Sequence, residues 1–176
     1  MKKLKGSKTE ANLLAAFAGE SQARNRYTFF ARKAREEGHT LIGDYFDQSA
    51  RNEQEHANLW LRALGGINDT AQNLQSAIES ETYERASMYP DFAKIAREEG
   101  FEEIARLFEN IGWIERAHEE EFKQMLANLG KLGVAATNVK VDNWRCSACG
   151  YIHAGKIAPE KCGVCQSIGF KPYEVL

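Results

Sequence analysis

Residues 34–38 read Ala34-Arg35-Glu36-Glu37-Gly38, and residues 96–100 repeat them as Ala96-Arg97-Glu98-Glu99-Gly100. The offset is 62 residues, and it also relates Tyr27 to Tyr89, Phe30 to Phe92, Ile42 to Ile104, Phe46 to Phe108, Glu53 to Glu115 and His56 to His118. Matches at one fixed offset mark a duplicated supersecondary unit. In each copy apolar residues recur at helical spacing on both sides of the shared glycine. One helix is expected from Thr9 to Glu37, stopped by Gly38, and a second from Gly43-Asp44 to Gly65-Gly66. A third runs from about Thr70 to Glu99, with Pro90 inside it, and a fourth from Glu102 to Leu129. Pro90 removes a backbone donor and should kink the third. Four helices with short connections predict an antiparallel four-helix bundle.

Composition bounds what such a bundle can do. The chain has 176 residues, 43% hydrophobic and 27% charged, which is ordinary for a globular protein. A net charge of −2 gives no electrostatic case for nucleic acid or an anionic membrane as partner. No apolar run approaches the roughly 20 residues that span a bilayer. Met1 to Lys8 is basic, but no apolar signal core follows it, so a cytoplasmic location is expected. Lys131 to Asp142 has weak periodicity and reads as a linker. The expected division is a bundle over 1–137 and a small tail module over 138–176.

Glu53-Gln54-Glu55-His56 and Glu115-Arg116-Ala117-His118 are both Glu-x-x-His, and residues three apart share a helix face. A single motif of this kind is weak evidence. Two in one repeat register are strong, because duplication places equivalent ligands about a pseudo-two-fold axis. The other helices should each add an acid. Glu20 sits among Phe17, Ala18 and Ala23, seven residues before Tyr27, and is the first-helix candidate. The third helix offers Glu81 and Glu84. One Glu from each of two helices plus Glu-x-x-His from the other two is the ligand set of dinuclear carboxylate bundles. Carboxylates gathered inward require cations, and oxygen-rich ligation with one histidine per metal suits iron or manganese. Glu36, Glu37, Glu55, Glu98, Glu99 and Glu119 to Glu121 read as solvated, His39 as exposed, and His153 as outside any ligand set.

The repeat breaks at one place. Glu20 plus 62 gives Thr82, whereas the candidate acid is Glu81; Glu81 to Tyr89 is eight residues and Glu20 to Tyr27 is seven. One extra residue before Pro90 predicts a π-bulge or kink, a feature common at functional sites. The counterpart of Glu84 is Gln22, so Glu84 is an acid that the first copy lacks. An asymmetric site follows, with Glu84 adding a ligand near His56.

Cys146-Ser-Ala-Cys149 and Cys162-Gly-Val-Cys165 are two CxxC knuckles in a segment too small for a conventional core. Together they make one tetrahedral four-sulfur site, for structural zinc or for electron-carrying iron. Surrounding aromatics (Trp144, Tyr151, Phe170, Tyr173) and a neighbouring dinuclear site favour iron.

Over nearly its whole length the chain resembles the rubrerythrins. The likeness rests on Glu20, Glu53-x-x-His56, Glu81-x-x-Glu84 and Glu115-x-x-His118, followed by the four cysteines. The resemblance implies a ferritin-like bundle holding a non-haem di-iron site and a rubredoxin-like tail holding Fe(Cys)4. It implies Glu53 and Glu115 as bridging ligands, Glu20 and Glu81 as terminal ones, His118 on one iron, and exchange of the other iron between His56 and Glu84. Tyr27 and Tyr89 match tyrosines beside the ligands, and with His56 and Glu84 they are the expected catalytic residues. One departure is clear: the second knuckle usually reads Cys-Pro-x-Cys-Gly, where this chain has Cys162-Gly163-Val164-Cys165-Gln166.

The resemblance further implies reduction of hydrogen peroxide to water, with electrons fed by an external NAD(P)H-dependent rubredoxin-type reductase or a rubredoxin. The expected assembly is a homodimer, head-to-tail or helix-swapped, in which the tail of one subunit approaches the di-iron site of the other. The rival classes are a ferritin-like ferroxidase or oxidase and a non-enzymatic binding module with structural zinc in the tail.

Overall fold

The computed structural model describes residues 4–130 and 143–173. The expected linker, 131–142, and the expected domain boundary at 137/138 lie outside the described residues. The chain forms two compact units, Met1–Asn68 and Asp69–Leu176.

The first unit is a hairpin of α1 (Lys8–Glu36) and α2 (Thr40–Ala63). Ser7 starts α1 by accepting from the Glu10 N–H at 3.1 Å, which satisfies one of the orphan donors of the first turn. Gly38, at φ 84°, reverses the chain, and the His39 N–H closes on the Ala34 carbonyl at 2.8 Å. The two helices approach closely because the contact residues are small: Ala31, Ala34, Gly43, Ala50 and Ala57 are all buried. A Cβ on Gly43 would lie 2.9 Å from Arg35 Cγ. Arg35 crosses the hairpin to Asp44 at 2.7 Å and Asp47 at 2.6 Å.

In the second unit α3 (Thr70–Tyr83), a π turn (Glu84–Met88) and α4 (Tyr89–Glu98) form one run packed along α5 (Glu102–Ala127). Asp69 caps α3 by accepting from the Gln72 N–H at 2.8 Å. The π turn is the irregularity that the extra residue predicted. Pro90 stands in the first turn of α4, directly after it, where the missing N–H costs least.

The duplication is carried through to packing. Tyr27, Phe30 and Phe46 form a ring cluster, with Phe30 and Phe46 centroids 5.6 Å apart; Tyr89, Phe92 and Phe108 form its counterpart, with Phe92 and Phe108 at 5.5 Å. Ala31 and Ala34 correspond to Ala93 and Ala96, and all four are buried. The Arg35–Asp47 pair corresponds to Arg97–Glu109, at 2.6 and 2.7 Å.

The cysteine module is a three-stranded antiparallel sheet of order β2-β1-β3: β1 (Asn143–Cys146), β2 (Ile152–Ala154) and β3 (Phe170–Pro172). Trp144 pairs with His153 on one side and Pro172 on the other, and its indole N–H donates to the Gly155 carbonyl at 2.9 Å. His153 thus belongs to the sheet and takes no part in the four-sulfur cluster, as expected.

Candidate metal centres

The first unit brings Glu20 of α1 together with Glu53 and His56 of α2. Their donor atoms lie within 4.8 Å of one another. His56 Nδ1 is 2.9 Å from Glu53 and 3.9 Å from Glu20. Hydrogen bonding between the two carboxyls, with some burial, raises Glu20 above the usual carboxylate range.

The second unit builds the equivalent trio from Glu81 of α3 and Glu115 and His118 of α5, again within 4.8 Å. His118 Nδ1 is 2.6 Å from Glu115 and 3.9 Å from Glu81. Burial, and then the charge of Glu115, push Glu81 up to about 7; burial also raises Glu115. Crowded carboxylates with raised protonation beside an imidazole suit a divalent cation, whose charge would take the place of the added proton. Both trios therefore fit a metal.

Glu84 stands in the π turn, half-buried and outside the trio. Its Oε1 accepts from the Ser80 hydroxyl at 3.3 Å, and its charge raises Glu81, Glu115 and Tyr89. Tyr89 is raised first by burial, so its hydroxyl stays a proton donor beside the trio. Tyr27 lies against Phe46, at a centroid distance of 5.9 Å, in the matching position of the first unit.

The four cysteine sulfurs also cluster within 4.8 Å. Cys146 and Cys165 sulfurs are 3.8 Å apart, and Cys149 and Cys162 are 3.7 Å apart. Those separations are far longer than a disulfide and match the edge of a tetrahedron with metal–sulfur bonds of about 2.3 Å. Burial pushes the Cys149 and Cys162 thiols up, so holding them as thiolates requires a cation. Despite the departures in the second knuckle, the Val164 N–H still points at Cys162 Sγ at 3.4 Å.

Two acids read as solvated are not. Glu119 is 3% exposed and Glu121 is half-buried, while Glu120 is exposed as expected. Glu119 is ion-paired to Arg85 and to Lys123, the latter at 2.6 Å, and this holds its carboxyl down at about 2. Glu121 is ion-paired to Arg145 of β1. The repeat carried the missing signal: Glu119 corresponds to Ala57, which faces inward in the first unit. Charge runs usually face solvent, and that general rule masked it.

The Glu121–Arg145 pair ties the cysteine module to α5 of the same chain. Gly150 of the first knuckle packs there against His118: a Cβ on Gly150 would lie 2.6 Å from His118 Nε2. An open cleft of about 570 Å³ lies beside this contact, lined by His118, Glu121, Met125, Arg145, Cys149 and Tyr173.

The elements and the donor sets define a helical redox metalloprotein that combines carboxylate–histidine ligation with a tetrathiolate module. The rubrerythrin family profile matches residues 11–126, and the profile described as rubrerythrin, rubredoxin-like domain, matches residues 144–167. The chain is 45% identical to rubrerythrin of Nitratidesulfovibrio vulgaris, over 94% of this chain and 93% of that one. It is 42% identical to rubrerythrin of Porphyromonas gingivalis, over 93% and 88%. A solved structure of fully reduced nigerythrin is 30% identical over 95% of this chain and 87% of that one, with a TM-score of 0.44. The chain belongs to the rubrerythrin family, di-iron oxidoreductases of oxidative-stress defence with a ferritin-like fold. Its cofactors are accordingly a di-iron site and a rubredoxin-like Fe(Cys)4 centre, which the two trios and the four cysteines fit. Among the described residues no helix is long and apolar enough to cross a membrane.

Proposed function

We propose that this chain is a peroxide reductase in which hydrogen peroxide, two electrons and two protons give two waters. The observation that carries the reading is the packing of the first cysteine knuckle on His118, which joins an electron-carrier module to a carboxylate–histidine trio in one chain. When bound, the two bundle irons supply two electrons together, and the tetrathiolate iron returns electrons singly.

The residues divide the work. On the family resemblance, Glu20, Glu53, Glu81 and Glu115 would hold the bundle irons as carboxylate ligands, His118 and His56 would be the imidazole ligands, and Glu84 would be the alternative to His56. Burial and the charge of Glu115 raise Glu81 to about 7, which supports a carboxyl there that can carry a proton near neutral pH. Glu84 sits where a proton could pass to or from bound substrate. Tyr89 and Tyr27, whose rings are fixed in the aromatic clusters, would supply hydroxyl donors to the site. The short path Cys149–Gly150–His118 supports electron passage from the module to the trio.

The domain division at 137/138 and a cytoplasmic setting belong to this reading. So does an external electron donor, either an NAD(P)H-dependent rubredoxin-type reductase or a rubredoxin; Cys165 is exposed, beside the exposed Ile168, as an entry point requires. A homodimer, head-to-tail or helix-swapped, is supported by apolar side chains exposed on both hairpins, among them Phe29, Ile42, Ile104 and Leu107.

Anaerobic stopped-flow tests the reading. The iron-loaded chain is reduced, mixed with peroxide or oxygen, and followed at the visible band of the tetrathiolate iron. Peroxide is expected to reoxidise that band at least tenfold faster than oxygen. Faster reaction with oxygen would favour the ferroxidase or oxidase class and overturn the proposal. A colourless chain loaded with zinc at the cysteines would remove the relay.

A further inference from the structure

We propose that Glu119 and Arg85 are positioning residues that lock the π turn against α5 and thereby aim Glu84 at the metal site, an inference that rests on the functional reading above. Arg85 follows Glu84 in the π turn, and Glu119 follows His118 in α5. Arg85 grips Glu119 with two donors: Nε pairs with Oε2, and Nη2 lies 3.3 Å from Oε1. Lys123 Nζ holds the same Oε1 at 2.6 Å, and Thr82 at the end of α3 also interacts with the carboxylate. One buried carboxylate therefore ties together α3, the π turn and α5.

Chain neighbours on a helix point about 100° apart, so this clamp lies beside the site, not within it. Among the described residues, Glu84 itself is held weakly, by the Ser80 hydroxyl contact at 3.3 Å. Its direction is set by the backbone that carries it, and that backbone is the least regular helical stretch of the unit. If the turn relaxed to α geometry, the residues within it would swing by a large part of a helical step and Glu84 would turn away from the trio beside it.

The first copy supplies the control. There Glu119 is replaced by Ala57, Glu84 by Gln22, and the helix carrying Glu20 runs unbroken as α1. Buried carboxylate, π turn and extra acid are present together in the second copy and absent together from the first. A buried carboxylate is costly unless paired, so its retention where alanine serves the equivalent packing points to a role in holding the turn.

The test compares full-length, iron-loaded wild type with Arg85→Gln, Arg85→Lys and Glu84→Gln. Arg85→Gln leaves Glu119 paired with Lys123, so the fold should persist; Glu119→Gln serves if it does not. Mössbauer spectra resolve the bundle irons from the sulfur-ligated iron, whose visible band is the internal standard, and an anaerobic chelator measures iron release. Arg85→Gln should release one bundle iron at least tenfold faster than wild type and give the same bundle spectra as Glu84→Gln in both redox states. Arg85→Lys should restore most of the wild-type behaviour. A variant with lower thermal stability but wild-type bundle spectra and release rates would make the pair merely structural and overturn the proposal. A wild-type bundle that binds no iron would defeat the functional reading itself, and this inference with it.

Discussion

Glu81 and Glu119 lie on helices packed together, yet their titrations go in opposite directions. Glu119 meets cations and is held near 2, so it contributes stability above the usual carboxylate range and loses it as pH falls from about 4.5 toward 2. Glu81 meets other carboxylates and an apolar surround and is raised to about 7. A raised carboxyl contributes stability that is complete below about 4.5 and is lost as pH rises through 7. Cys165, where burial is outweighed by hydrogen bonding to Ser167, is held down at about 6 and acts in the opposite sense over the same range, so the Glu81 contribution is read as the difference between the chain and Glu81→Gln. Relative to Glu81→Gln, the metal-free chain, melted by circular dichroism, should lose about 1 kcal/mol of stability, a few degrees in Tm, between about pH 6 and pH 8. The figure is set below the full shift because the Glu81 side chain remains 19% exposed. With iron bound the trend should invert, since protons then compete with the metal for the same oxygens. A flat difference between the two profiles would show that Glu81 ionises normally and that the trio is less crowded than its geometry indicates.

Among the elements, the two knuckles carry the same fold with unequal ease. The residue after the second cysteine of each pair has positive φ: Gly150 at 80° and Gln166 at 60°. Glycine accepts this conformation freely, whereas a side chain pays about 1–2 kcal/mol. The departure noted in the second knuckle thus falls on a position where the backbone asks for glycine, and the turn forms regardless, with the Gln166 N–H bonded to the Cys162 carbonyl at 3.0 Å. Gln166→Gly should stabilise the module by about 0.5–1 kcal/mol, because the strain relieved exceeds the added freedom of the unfolded chain. Slower release of the sulfur-ligated iron to a chelator is the expected sign, and faster release would show that Gln166 makes a contact worth more than its strain. The π turn is the other element where local rule and structure part. An extra residue between Glu81 and Tyr89 pointed to an irregularity, but the register alone did not say that an ion pair to α5 would hold it.

Across the molecule, the consequential contact is the seat of the cysteine module on α5. Gly150 matters twice there, for its φ and because a methyl group would meet His118 Nε2. Gly150→Ala should therefore push the first knuckle away from the trio as well as strain it. The expected result is reoxidation of the tetrathiolate iron by peroxide slowed at least tenfold, with both metal sites still loaded. Unchanged kinetics would place the electron path elsewhere, for instance through a partner subunit in a head-to-tail dimer.

The sequence by itself determined the helices, the duplication and both clusters of candidate ligands. Helical periodicity and a 62-residue offset are one-dimensional signals, and Glu-x-x-His and CxxC bring their ligands together within one or two turns of chain. Even the π turn was legible, as one residue too many between Glu81 and Tyr89. Only the tertiary structure decided that Glu119 and Glu121 are not solvated, that Arg85 and Arg145 are their partners, and that Gly150 meets His118. Those pairs join residues 34, 24 and 32 positions apart with no periodicity between them, so their meeting is fixed by how elements pack and not by any local pattern.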